Sequence, residues 1–145
     1  MRIVNLLHYE NRSELRQWLK EKHNTEKCCW VVTYRSKCPS DWPAIPYIEV
    51  VKEALCFGWI DSTLKRLPDG RLAQRLSPRR AKSHWTQLNM DRSVDLEDRG
   101  LMTEAGRRAF KRAFEYEIIP PDSEISQRIK EEAKLRRPGM YEQKE

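Results

Sequence analysis

The side chains best able to do chemistry in this chain fall between positions 59 and 89. Trp59 and Asp61 stand two apart in the run WIDSTLKR, so on a strand they share a face, with Thr63 and Lys65 following on it. An acid beside a tryptophan can hold a ligand or orient a neighbouring arginine; it can equally pair with Arg79, Arg80 or a backbone donor. Arg79, Arg80 and Lys82 then precede Ser83, which suits the N-cap of a helix. Free backbone N–H groups and the helix dipole favour an anion there, and the arginine fork matches phosphate or carboxylate oxygens. His84 and Trp85 add a titratable ring and a stacking surface, and Asn89 adds an amide about one turn later. Trp59, Asp61, Arg79, Arg80, Lys82, Ser83, His84, Trp85 and Asn89 therefore form a candidate site for an anion or nucleic acid. A capped helix preceded by a solvated basic loop accounts for the same residues.

Charge supports the anionic partner. The chain carries a formal net charge of +6, and the whole excess lies within 61–112. Within 61–82 alone, seven Lys/Arg face two acids. Such a focus attracts nucleic acid, phosphorylated ligands or acidic proteins.

Catalytic signatures are sparse. The phosphate loop GxxxxGK[ST], the dinucleotide fingerprint GxGxxG, the zinc motif HExxH and the nucleophile elbow GxSxG are all missing from the sequence. Cys56 and His84, with Asp61 or Asn89 as orienter, supply the residue types of a nucleophilic triad. Cys56, however, falls in the last turn of an apolar helix, where an inert buried thiol is expected. The four cysteines, Cys28, Cys29, Cys38 and Cys56, match no zinc spacing and read as reduced, structural thiols. No metal and no cofactor is expected.

Several elements must position these residues. Asn11 and Glu14 resemble a capping box, and Leu15, Trp18 and Leu19 give a helix over about 12–22 one apolar stripe. CCWVVTY at 28–34 reads as a buried strand. Pro39, Pro43 and Pro46 break up the next loop. Tyr47, Val50, Val51, Ala54 and Leu55 predict a second helix, which Gly58 ends. The runs 59–66 and 71–76 flank Pro68-Asp69-Gly70 as a β-hairpin. A third helix is expected from Ser83 to Gly100. Thr103 caps a fourth, with Ala105, Ala109, Phe110, Ala113 and Phe114 facing inward. Pro120 and Pro121 then mark a break, after which Asp122 can cap a helix to about 136 before a frayed tail. The predicted fold is α+β: a small antiparallel sheet with a central β-hairpin, packed against four to five helices. One domain over 1–119, followed by a C-terminal helix and tail over 120–145, is the expected division.

With 145 residues the chain can bury a core without staples. No apolar run is long enough to span a membrane. The opening MRIVNLLHYENR is too short in its apolar part for a secretory signal, so a cytoplasmic location is expected.

ALCFGWID at 54–61, SPRRAKSHW at 77–85, Asn89 and RGLMTEAG at 99–106 together resemble the bacterial YdeI/OmpD-associated family. The similarity runs from about the Leu15–Leu19 helix to Phe114. His84 and Thr86 depart from the Asn-Trp-Ser form of that family. The resemblance implies an accessory protein linked to stress or bacteriocin protection and assigns no catalytic residue. The expected function is recognition of an anionic ligand or nucleic acid through the basic hairpin and loop. Two other classes stay open: an enzyme with a pocket around Trp59, Asp61, Ser83, His84 and Trp85, and a protein-interaction module. The latter would dock through the Leu15/Trp18 helix or the C-terminal helix.

Overall fold

A computed structural model describes residues 2–115, and the side chains of 2–113. Phe114 as an inward side chain, and the expected helix and tail over 120–145, lie outside the described residues. Within them the chain forms an α+β fold of five strands and four helices. The order is β1 (Leu6–Leu7), α1 (Arg12–Lys22), β2 (Cys29–Tyr34), β3 (Ile45–Pro46), α2 (Tyr47–Cys56), β4 (Trp59–Arg66), β5 (Leu72–Pro78), α3 (Gln87–Asp98) and α4 (Glu104–Glu115).

The sheet runs β1-β2-β5-β4, with β3 also on β2. Its centre is antiparallel: β5 pairs with both β2 and β4, as the hairpin pattern predicts. β1 and β3 add parallel pairing along the other edge of β2, making the sheet mixed. At two residues each, they carry too little pattern to be read from the sequence.

Strand β2 is buried on both faces, which explains its unbroken apolar run. Cys29 and Val31 join the main core, whereas Trp30 turns to a smaller cluster with Leu67 and Ala73. The main core gathers Leu15 and Leu19 from α1, Val50, Val51, Ala54 and Leu55 from α2, Trp59 and Leu76 from the hairpin, and Phe110 from α4. Leu15 is fully buried, and Trp18 packs edge-on against Trp59 with ring centroids 6.1 Å apart. The Leu15/Trp18 stripe therefore packs onto the core, with Trp18 partly buried.

Capping residues set the helix limits. The side chain of Asn11 accepts a hydrogen bond from the Glu14 N–H at 3.2 Å, starting α1. Gly58, at φ +73°, ends α2 and turns the chain into β4. The α3 start departs from expectation: Thr86, not Ser83, is the N-cap, its hydroxyl accepting from the Asn89 N–H at 3.1 Å. Ser83 is otherwise engaged, as its hydroxyl accepts from the Arg79 guanidinium at 2.9 Å. Residues 83–86 form neither helix nor strand, and Trp85 turns inward to 7% exposure.

Helix α4 packs tightly over the corner after α2. Thr103 donates its backbone N–H to the Cys56 carbonyl at 3.1 Å. A Cβ at Gly106 would come within 2.5 Å of that carbonyl oxygen and 2.8 Å of the Leu55 one. This close approach lays the outer face of α4 beside Gly58 and the start of β4. No helix among the described residues is long and apolar enough to cross a membrane.

Candidate functional site

Arg79 is the pivot of the site. The backbone N–H of Arg79 donates to the Gly58 carbonyl at 2.9 Å, fixing it beside the α2–β4 corner. Its side chain runs inward, and the residue is only 5% exposed. The guanidinium lies over the Trp85 ring, 4.0 Å from the centroid. Nη1 donates to the Ser83 hydroxyl and to the His84 carbonyl, both at 2.9 Å. Nε and Nη2 are shut from solvent and have no hydrogen-bond partner among the described residues. Burial pushes the Arg79 pKa down to about 10, with Asp61 opposing the shift. The group stays charged at neutral pH.

Arg79 is thus a buried cation with two donors that no described residue satisfies. The cavity beside it has a volume of about 580 Å³, within the range of small-ligand sites. Arg79 shares its lining with Arg108, Lys111 and Arg112 of α4, and no carboxylate among the described residues lines it. His23, Asn24, Phe57 and Trp59 supply the rest of the wall that matters here. Nε of Arg112 is likewise buried and without a partner among the described residues. Arg108, Lys111 and Arg112 stand at i, i+3 and i+4, so α4 presents them as one stripe.

The nine sequence-predicted residues do not form one cluster. Trp59 and Arg79 line the basic cavity. Asp61, Ser83, His84 and Asn89 line a second cleft of about 390 Å³, with Tyr47, Thr86 and Arg92. There Asp61 accepts from the Tyr47 hydroxyl at 2.8 Å, and Asn89 Oδ1 accepts from Arg92 at 3.1 Å. Trp85 offers no open stacking surface, because Arg79 and Phe110 cover it, the latter at 4.9 Å between centroids. Arg80 and Lys82 are exposed in the loop. With the helix starting at Thr86, Arg79, Arg80 and Lys82 do not ring an N-terminus. Sequence reasoning missed the stripe on α4; its spacing was the available signal.

The triad of Cys56 and His84 finds no support. Cys56 is fully buried and burial pushes its thiol up to about 11, while His84 is exposed. Burial also raises the Cys29 thiol. All four cysteines are free. At pH 8 a chromogenic disulfide should label exposed Cys38 rapidly and half-buried Cys28 more slowly. Cys29 and Cys56 should react only after unfolding, and Cys38→Ser should remove the fast phase. Fast labelling of Cys56 in the folded protein would contradict this assignment. Among the described residues no group of three His, Cys, Asp or Glu side chains is arranged to hold a metal.

A family profile described as a domain of unknown function, DUF8412, matches residues 7–109. The chain belongs to that family. No curated protein and no solved structure matches it. The DUF8412 span contains Trp59, Arg79 and Arg108 of the basic cavity, whereas Lys111 and Arg112 lie just past its end.

Proposed function

We propose that this DUF8412 protein is a binding protein for an anionic ligand, taken up in the cavity between Arg79 and α4. One observation carries the reading. Four cations line a single cavity, and no carboxylate among the described residues lines it. Crowding like charges around one cavity is costly, and a bound anion would offset that penalty. The reading moves the binding surface from the exposed loop to the cavity, with Arg79 common to both. Kinship with the YdeI/OmpD-associated proteins is part of the proposal, resting on ALCFGWID and SPRRAKSHW. So is a cytoplasmic setting, which suits four free thiols.

Calorimetric titration with inorganic pyrophosphate tests it. Lys111→Glu and Arg108→Glu should each weaken binding at least about tenfold by reversing a lining charge, whereas Arg80→Glu should change it little. Raising ionic strength should weaken binding in the wild type. Unchanged affinity in both α4 variants, or a larger loss in Arg80→Glu, would reject the cavity as the site.

An enzymatic reading draws on the second cleft, where Asp61, Ser83 and His84 do meet. Nucleophile and base need a mutual hydrogen bond. The Ser83 hydroxyl instead faces Arg79 and the backbone carbonyl of His84, so binding remains the better-supported function.

A further inference from the structure

The basic cavity contains one side chain whose charge is not fixed. His23 closes α1 as its C-cap and lines the cavity together with the α4 stripe. Its Nδ1 lies 2.7 Å from the Leu19 carbonyl oxygen. A carbonyl can only accept, so Nδ1 carries the proton of the neutral ring and donates it there. Nε2 is then the bare nitrogen. It has no hydrogen-bond partner among the described residues and is not one of the polar atoms shut from solvent. An incoming ligand can therefore reach it. Contact with the Phe57 ring, 5.3 Å between centroids, holds the imidazole against the cavity wall.

In the neutral ring Nε2 presents a lone pair, which repels the oxygens of an anion. One proton taken from solvent turns the same atom into a charged N–H donor. Imidazole is the side chain that makes this change between about pH 5 and 8. Several charges bear on the ring. Lys20, Glu21 and Lys22 flank it on α1, and Arg16 lies over the Phe57 ring at 5.4 Å. Arg79, just past β5, and Arg108, Lys111 and Arg112 of α4 share the cavity with it. These cations oppose a further positive charge, whereas the carbonyl end of α1 favours one. A bound anion adds an opposite charge beside the ring and favours the imidazolium.

We propose that anion binding in this cavity is coupled to protonation of His23, which then donates to the ligand through Nε2. This rests on the anion-binding reading above and adds to it a binding residue and a pH dependence. The complex holds more protons than the free protein. By reciprocity, affinity must rise as pH falls through the imidazole range.

Sulfate is the probe, because it stays doubly charged across that range whereas pyrophosphate itself titrates. Calorimetry on the full chain at constant low chloride should show sulfate binding at least about fivefold tighter at about pH 5.5 than at about pH 8. His23→Gln keeps an amide donor that cannot titrate, so its affinities at the two pH values should agree within about twofold. His84→Gln changes an exposed imidazole of the second cleft and should keep the wild-type slope. Saturating sulfate should also raise the NMR titration midpoint of the His23 ring by at least about 0.7 pH unit, the equivalent of that fivefold factor. The midpoint is read on the wild type, so the outcome does not hang on a variant that fails to fold. Sulfate binding that is flat with pH, an unmoved His23 midpoint, or a slope that His23→Gln retains or His84→Gln abolishes would overturn the coupling and leave the anion site. Absence of sulfate binding at both pH values would overturn both readings.

Discussion

Gly58→Ala is expected to lower stability by about 2–5 kcal/mol, from two penalties that add. The first is conformational: Gly58 sits at φ +73°, where an L side chain is strained by roughly 1–2 kcal/mol. The second is steric, because the new Cβ would lie 2.8 Å from the Ala105 carbonyl oxygen and 3.1 Å from the Ala109 Cβ. Relief requires moving α4, at an overpacking cost of about 1–3 kcal/mol. Gly100→Ala isolates the terms. Gly100 has φ +74° but nothing within 4 Å of its Cβ position, so only the conformational penalty of about 1–2 kcal/mol applies. Urea unfolding of both variants checks the difference. Equal losses would mean that α4 does not press on this corner. Since α4 carries three cavity cations, Gly58→Ala should also weaken pyrophosphate binding, whereas Gly100→Ala should not.

Glu53→Ala is expected to be of similar size, about 2–4 kcal/mol. Glu53 is 1% exposed and accepts from Arg12 and, at 3.1 Å, from Arg16. Arg16 reaches on to the Leu101 carbonyl at 2.6 Å, so one carboxylate ties α1 to α2 and to the approach of α4. Although burial works against the Arg12 charge, Glu53 and Glu49 more than offset it and raise that pKa. Removing Glu53 leaves Arg12 with Glu49 alone and Arg16 without its carboxylate. The Arg12 and Arg16 side chains are 24% and 30% exposed, so water recovers part of the loss, which places the effect below that of a fully buried pair. Arg16→Ala should be milder than Glu53→Ala, because Arg12 still neutralises the acid. The reverse order in denaturant unfolding would contradict the assigned hub.

Much of the fold was legible because local chemistry and burial agree. Asn11 with Glu14, the Tyr47–Leu55 stripe and Gly58 each encode a helix limit in residues that also face the right way. β2 announced itself by an apolar run too short for a helix and buried on both faces. The site was harder. Ser83 has the chemistry of a cap, yet its hydroxyl answers Arg79 across four residues, and Thr86 starts the helix instead. Trp85 looked like a stacking surface because nothing in its neighbourhood showed that Phe110 would cover it. The stripe of Arg108, Lys111 and Arg112 is visible as spacing, but its meeting with Arg79 depends on how α4 crosses the Gly58 corner. Glu53, an acid among Val50, Val51 and Ala54, gave no local sign that its partners come from α1.

The most direct test of the central claim is amide chemical-shift mapping of the full chain with inorganic pyrophosphate. The account predicts shifts centred on Gly58, Arg79, Ala105, Arg108 and Arg112, around the cavity. Shifts confined to the exposed loop at Arg80–Lys82 or to the hairpin turn, or none at saturating pyrophosphate, would contradict it.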